Sequence, residues 1–231
     1  MPLPQTRFMV LENIPPATAE ELGEFENLPV DKYGLGPYRH IRVSQYIMYH
    51  ETGRWILGLL PRRGFIQPAH INKLRGGILR EREQLRVDPS DLVNHIADEI
   101  PLDTGRFYQV NVNQVRVVST PEIPGILVAE GPHRDGHDFG AIVVVRRHNI
   151  TGGQSQLLPL EGGDAFFSTT LQPGQALVHE DPKMFHYASN IEHLTAEGGY
   201  RDIWILAFNA WENRRYGPIH EASALAVNAA E

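Results

Sequence analysis

From Phe107 onward the sequence alternates short β-forming runs with turns rich in glycine and proline, a texture that leaves few architectures open. Val110, Val112, Gln114, Arg116 and Val118 alternate with Asn111, Asn113, Val115 and Val117, the period-2 pattern of a strand with two distinct faces. Further runs are expected at Ile126 to Ala129, Ala141 to Arg146, Gln154 to Leu158, Ala165 to Thr169, Gln175 to His179 and Ile203 to Phe208. Between them lie Pro121-Glu122-Ile123-Pro124-Gly125, Thr151-Gly152-Gly153, Glu161-Gly162-Gly163 and Pro173-Gly174. Many short strands at near-regular spacing predict a sandwich or barrel.

The N-terminal region reads differently. Thr18-Ala19-Glu20-Glu21 has the form of a capping box and opens a short helix through Phe25. Tyr38 to Tyr49 and Trp55 to Leu59, joined by Glu51-Thr52-Gly53-Arg54, predict a hairpin. Pro61, Gly64, Pro68 and Gly76-Gly77 make the next stretch irregular. Asp88 as N-cap and Pro89 as first helical residue then begin a helix. Leu92, Val93, Ile96 and Ile100 form its buried stripe, and Pro101 stops it. The expected fold is mainly β with flanking helices in one domain over 1–231. Residues 1–105 elaborate a barrel, 106–216 form its core, and 217–231 are an alanine-rich tail.

Several function classes fall away. The formal charge of −7 comes without a basic stripe, which argues against nucleic acid. The absence of cysteine removes disulfides, thiolate metal sites and a cysteine nucleophile. Met1 to Glu12 lacks the pattern of a signal peptide, and the apolar run from Trp55 is broken by Gly58 and Pro61, so no membrane partner is expected. A soluble cytoplasmic protein is the expectation. Nothing in the sequence specifies an oligomeric state.

The chemistry concentrates in Gly131-Pro132-His133-Arg134-Asp135-Gly136-His137-Asp138-Phe139, directly before the run Ala141 to Val145. His133 and Asp135, two residues apart, offer an imidazole nitrogen and a carboxylate from one side of an extended chain. A second histidine from a distant strand would complete a 2-His-1-carboxylate face. His186 lies 51 residues beyond Asp135, with several strands between. Arg201, at the head of an apolar strand, shares a face with Ile203 and Ile205, and a buried arginine is costly unless it meets an anion. The rival pair His179-Glu180-Asp181 is set aside because His186 and His193 follow it too closely to arrive from another strand. His137 reads as a residue at the mouth of the site, and His148 and His193 as surface histidines.

These residues resemble the bacterial 2-oxoglutarate/Fe(II) dioxygenases that include L-isoleucine 4-hydroxylase and related hydroxylases of free amino acids. The resemblance rests on Glu130 to Phe139, on Asn149-Ile150-Thr151-Gly152-Gly153-Gln154-Ser155, on Phe185-His186-Tyr187 and on Tyr200-Arg201-Asp202. It covers roughly the last 125 residues. It implies a double-stranded β-helix (jelly roll), with His133, Asp135 and His186 as catalytic ligands of Fe(II). Arg201 would hold the far carboxylate of 2-oxoglutarate, and O2 would be the oxidant. Ile203 stands where many wider dioxygenases have serine or threonine. The implied reaction is hydroxylation of an unactivated carbon of a free aliphatic L-amino acid, with release of succinate and CO2. Such a substrate needs a cation for its carboxylate and an acid for its ammonium; Arg134, Asp138, Arg116 and Glu130 are the candidates, with Phe139 lining an apolar subsite. The alternatives are a dioxygenase of the same fold acting on another small metabolite or on sulfur, and a non-catalytic jelly-roll binding protein.

Overall fold

The computed structural model describes residues 7–72 and 74–228; residues 1–6 of the N-terminal region and 229–231 of the expected tail lie outside that description. In chain order the elements are β1 (Phe8–Leu11), α1 (Ala19–Glu26), β2 (Arg39–Glu51), β3 (Arg54–Leu59), α2 (Ser90–Glu99) and β4 (Tyr108–Ser119). There follow β5 (Phe139–His148), β6 (Ile150–Gly152), β7 (Ser155–Leu158), β8 (Phe167–Thr169) and β9 (Ala176–His179). The last are β10 (Phe185–Ala188), β11 (Ile191–His193), β12 (Gly199–Ala210) and α3 (Pro218–Asn228). All pairings are antiparallel. A seven-stranded sheet in the order β1-β9-β5-β12-β4-β2-β3 faces two small sheets, β10-β7-β8 and β11-β6. This is the expected double-stranded β-helix, with β2 and β3 of the N-terminal region extending its large sheet.

The alternation of β12 shows how sequence builds the two layers. Trp204, Leu206 and Phe208 point outward, into a core shared with Phe25 of α1 and with Val93 and Ile96 of α2. Arg201, Ile203, Ile205 and Ala207 point inward and line a cavity. Each fully buried aliphatic or aromatic side chain in the outer core contributes roughly 1.5–3 kcal/mol, and this burial holds the helices on the sheet. A second core, with Ile41, Val115, Val144, Leu157, Leu177 and Met184, fills the space between the large sheet and the small ones. Among the described residues no helix is long and apolar enough to cross a membrane.

The capping box forms as expected: the Glu21 N–H donates to Thr18 Oγ1, and the Thr18 N–H donates to the Glu21 carboxylate. The second helix begins one residue later than predicted, at Ser90 rather than Pro89. Pro89, not Asp88, takes the N-cap position and offers no side-chain cap; Asp88 Oδ1, one residue earlier, accepts both the backbone N–H (2.9 Å) and the hydroxyl (2.5 Å) of Ser90. Ile126 to Ala129 is a loop and not a strand. Gly125 lies so close against Ile191 that a Cβ there would sit 2.4 Å from its Cγ1, and Ile126 and Leu127 pack onto the inner core instead of pairing. Four short strands, β1, β6, β10 and β11, were not expected; each spans only three or four residues, too short to show a period.

Candidate active site

The loop between residues 130 and 138 carries the chemistry, and its shape is set by glycines and one buried carboxylate. Gly131 and Gly136 adopt φ of 76° and 80°, a left-handed backbone conformation that other residues rarely adopt. Asp181, almost fully buried, accepts the backbone N–H groups of Asp135 (2.9 Å), Gly136 (2.8 Å) and His137 (3.2 Å). Gln67 Nε2 donates to the carbonyl of Asp135 at 3.1 Å. The segment is therefore a clamped loop rather than the start of a strand, tied to β10 by a bridge between His133 and His186 and to β12 where Asp138 donates its N–H to the carbonyl of Phe208.

His133, Asp135 and His186 come together as expected. The two carboxylate oxygens of Asp135 lie 3.6 Å from His133 Nε2 and 3.5 Å from His186 Nε2. The three donors are close enough to share one cation while leaving its other side open. His133 Nδ1 is hydrogen-bonded to the carbonyl of Gly131 at 2.9 Å, which turns Nε2 toward the site. Burial opposes ionisation of Asp135, yet His133 and His186 beside it hold its carboxyl well below the ordinary range. Burial lowers the His186 imidazole, which favours the neutral form a ligand needs. Burial likewise disfavours a charge on His133, but Asp135 outweighs it and draws the imidazole up to about 9.

His179 and Asp181 form a second cluster around His186, which corrects the reason for setting that pair aside. A single 3-10 turn at Asp181–Lys183 folds β9 back toward β10, so seven residues suffice to bring His179 and His186 from different strands to ring centroids 4.8 Å apart. Asp181 is committed to the three loop N–H groups, and its Oδ1 also faces His186 Nδ1 at 3.6 Å. It orients the site from behind. Gly140 makes room for His179: a Cβ there would lie 2.7 Å from the ring.

Arg201 is 2% exposed, and its Nε and Nη2 have no hydrogen-bond partner among the described residues. Its strand neighbour Arg147 has an unpartnered Nη1 as well and donates Nη2 to the carbonyl of Gly152 at 2.7 Å. Burial, and then Arg147, bring the Arg201 guanidinium down to about 10. A buried cation in this state calls for an anion, and a carboxylate fits it two-pronged.

The substrate candidates part company. Glu130 lines the cavity with His133, Asp135, His186 and Arg201, and accepts a hydrogen bond from Asn72 Nδ2 at 3.3 Å. Arg116 does not: it points outward, bonded to Asp202 and Glu26 and stacked on Tyr200, because even-numbered positions of β4 face α1. Phe139 packs in the outer core. Asp138 accepts the backbone N–H of Ala210 and, with exposed Arg134, lines a second groove that reaches Glu130, His133 and His137 but not Asp135, His186 or Arg201. His137, by contrast, is buried in the cavity wall, its Nδ1 2.6 Å from Asn209 Oδ1 and its ring stacked on Phe65. Residues the sequence reading missed line the opposite wall: Arg39, Gln67, Asn72, Arg75, Arg80 and Arg82. The available signal was six arginines between residues 61 and 86 of an acidic chain, in a stretch without periodicity.

Comparison with known proteins agrees with this geometry. A family model described as 2OG-Fe dioxygenase matches residues 23–207. Among solved structures, a bsmA homolog from Methylobium petroleophilum PM1 superposes with a TM-score of 0.72 at 24% identity, covering 83% of this chain and 80% of that one. IDO from Bacillus thuringiensis gives 0.68 at 18% identity, covering 89% and 91%. The Fe(II)/(alpha)ketoglutarate-dependent dioxygenase TqaL gives 0.57 at 16%, covering 88% and 82%. No curated protein sequence matches. A chain matched over most of its length by that family model, with a His-Asp-His face and an unpaired buried arginine in one cavity, belongs to the 2OG-Fe dioxygenases, enzymes that use Fe(II), 2-oxoglutarate and O2.

Proposed function

We propose that His133, Asp135 and His186 hold the iron, that Arg201 holds the distal carboxylate of 2-oxoglutarate, and that the enzyme hydroxylates an unactivated aliphatic carbon of a free L-amino acid. The observation that carries this is Arg201, buried, unpaired and facing the same cavity as the three donors. Iron and O2 supply the oxidative decarboxylation of 2-oxoglutarate to succinate and CO2 that makes the oxidant. The chain's own part is ligation, orientation and exclusion of water. Asp135 is held ionised by its histidine neighbours, Asp181 fixes the loop, and Arg201 sets the direction of the co-substrate. Val115, Ile142, Ile203 and Ile205 give that part of the cavity an apolar wall, which keeps water from the reacting carbon. Glu130, beside His133, is placed to receive an ammonium.

The resemblance to L-isoleucine 4-hydroxylase and its relatives supports an amino acid as substrate, in the cytoplasm. The test is succinate release, with Fe(II), ascorbate and 2-oxoglutarate, across the twenty amino acids. One amino acid should stimulate turnover and gain one oxygen atom. Turnover that no amino acid changes would end the amino acid reading.

A further inference from the structure

The chain carries a formal charge of −7, yet one wall of its cavity presents Arg39, Arg75, Arg80 and Arg82. Among the described residues Asp31 and Glu130 are the carboxylates that stand against them, while Asp135, in the same cavity, lies between His133 and His186. Asp31 is taken by Arg82, through bonds of 3.2 and 2.8 Å, with Arg39 behind at 3.8 Å. Glu130 is engaged by Asn72. Two positive charges are left without a counter-ion. Arg75 and Arg80 are 7% and 5% exposed, and their buried Nε atoms have no hydrogen-bond partner among the described residues. Burial first, and then crowding by Arg82, Arg75 and Arg39, bring Arg80 down to about 10.

Packing alone does not account for the cluster. Arg80 stacks over Phe65 at 5.0 Å and donates to Gln67 Oε1 at 2.7 Å, which fixes where it sits but leaves its charge uncompensated. Nor does the co-substrate absorb it, on the reading above. Arg201 is a separate cation whose charged neighbour is Arg147. The cluster is tied to the metal loop through Gln67, which accepts from Arg80 and donates to the carbonyl of Asp135. A single carboxylate, with its ammonium on Glu130, would leave most of the charge standing. We propose that the substrate is a short aliphatic amino acid carrying a second carboxylate, selected by Arg75 and Arg80. This rests on the proposed function and replaces a hydrocarbon side chain with an acidic one.

The experiment uses the full chain loaded anaerobically with cobalt(II) and 2-oxoglutarate, and measures binding by calorimetry. The probes are isosteric pairs that differ only in charge, aspartate with asparagine and glutamate with glutamine, alongside leucine, isoleucine and O-phosphoserine. An acidic member should bind at least tenfold more tightly than its amide. Arg75→Gln and Arg80→Gln should each erase that preference without changing the affinity for 2-oxoglutarate, and Arg75→Lys should restore part of it. Equal binding of acid and amide, preference for an aliphatic side chain, or no amino acid binding to a loaded protein would overturn the proposal. So would tighter binding of O-phosphoserine, which would assign the cluster to a phosphate. Failure of cobalt or 2-oxoglutarate to bind would instead overturn the metal-site reading beneath it. The wild-type comparison needs no variant to fold.

Discussion

His133 and His186 are joined main chain to main chain: each donates its N–H to the carbonyl of the other, at 3.0 and 2.9 Å. Their side chains then meet with ring centroids 4.4 Å apart. The pairing belongs to the backbone and does not depend on the imidazoles. His133→Ala or His186→Ala should therefore fold with an unchanged circular dichroism spectrum and lose detectable Fe(II) or cobalt(II) binding. Unfolding of both variants would show that the rings are structural.

Asp181→Ala should behave differently. It strands three loop N–H groups, and leaving such donors unsatisfied costs about 1–3 kcal/mol apiece in buried settings. Denaturant titration should show a loss of at least about 2 kcal/mol on that basis, and metal affinity should fall by about 10- to 100-fold, as it does when a group supporting a ligand is removed. Unchanged stability would mean the loop holds its shape without the clamp.

Arg201→Met separates binding from stability. With no co-substrate present, the variant should be at least as stable as the parent, because an unpaired buried charge is replaced by an apolar chain. The KM for 2-oxoglutarate should rise by at least about 30-fold, the low end for truncating one partner of a buried charge pair. A destabilised variant with normal KM would remove Arg201 from the co-substrate site.

Arg116→Met tests a residue that sequence proximity had placed near the substrate. Arg116 is bonded to Asp202, which is fully buried, and to Glu26 of α1. Breaking a buried pair from one side costs about 3–5 kcal/mol, softened here because Arg146 also bonds Asp202 at 2.7 Å. The melting temperature should drop while the KM for both substrates stays put.

Acid should loosen the arginine wall through Asp31. Burial alone would raise its carboxyl, but Arg82 on both oxygens and Arg39 behind hold it below its ordinary value. A carboxylate depressed in the folded state contributes stability that is complete above the unfolded pKa, about 4, and is lost as the pH falls through the lower folded value. Denaturation midpoints should decline below about pH 4 in the parent, and Asp31→Asn should flatten that part of the profile.

What was legible in the sequence followed residues whose chemistry leaves few uses. His133, Asp135, His186 and Arg201 stood out because a ligand pair before a strand and an arginine inside one are hard to explain otherwise, and the structure brings all four to one cavity. Arg116 and Phe139 misled because nearness along the chain was read as nearness in space; strand alternation sends both to the outer face. The arginine wall was hidden for the opposite reason. Arg75, Arg80 and Arg82 sit in a stretch with no period, held by Phe65 pairing with Arg80 and by Asn72 capping Leu74 and Arg75, and Arg39 joins them from the start of β2, so their convergence is a property of tertiary structure alone. His186 was found although its strand was not, since four residues cannot announce a period.

On β12, Arg201 enters the cavity and Asp202, the next residue, anchors α1 from the other side of the sheet. The same strand pairs Asp202 with Arg146 but Ile203 with Val144, so the register with β5 already slips by one residue there. A single insertion between Asp202 and Ile203, with the rest of β12 held in register by its core residues, would exchange the two: a carboxylate would face the cavity and a guanidinium would face Arg116 and Arg146. Both sides of the sheet would fail together. The length of this strand's tip is locked from two directions at once.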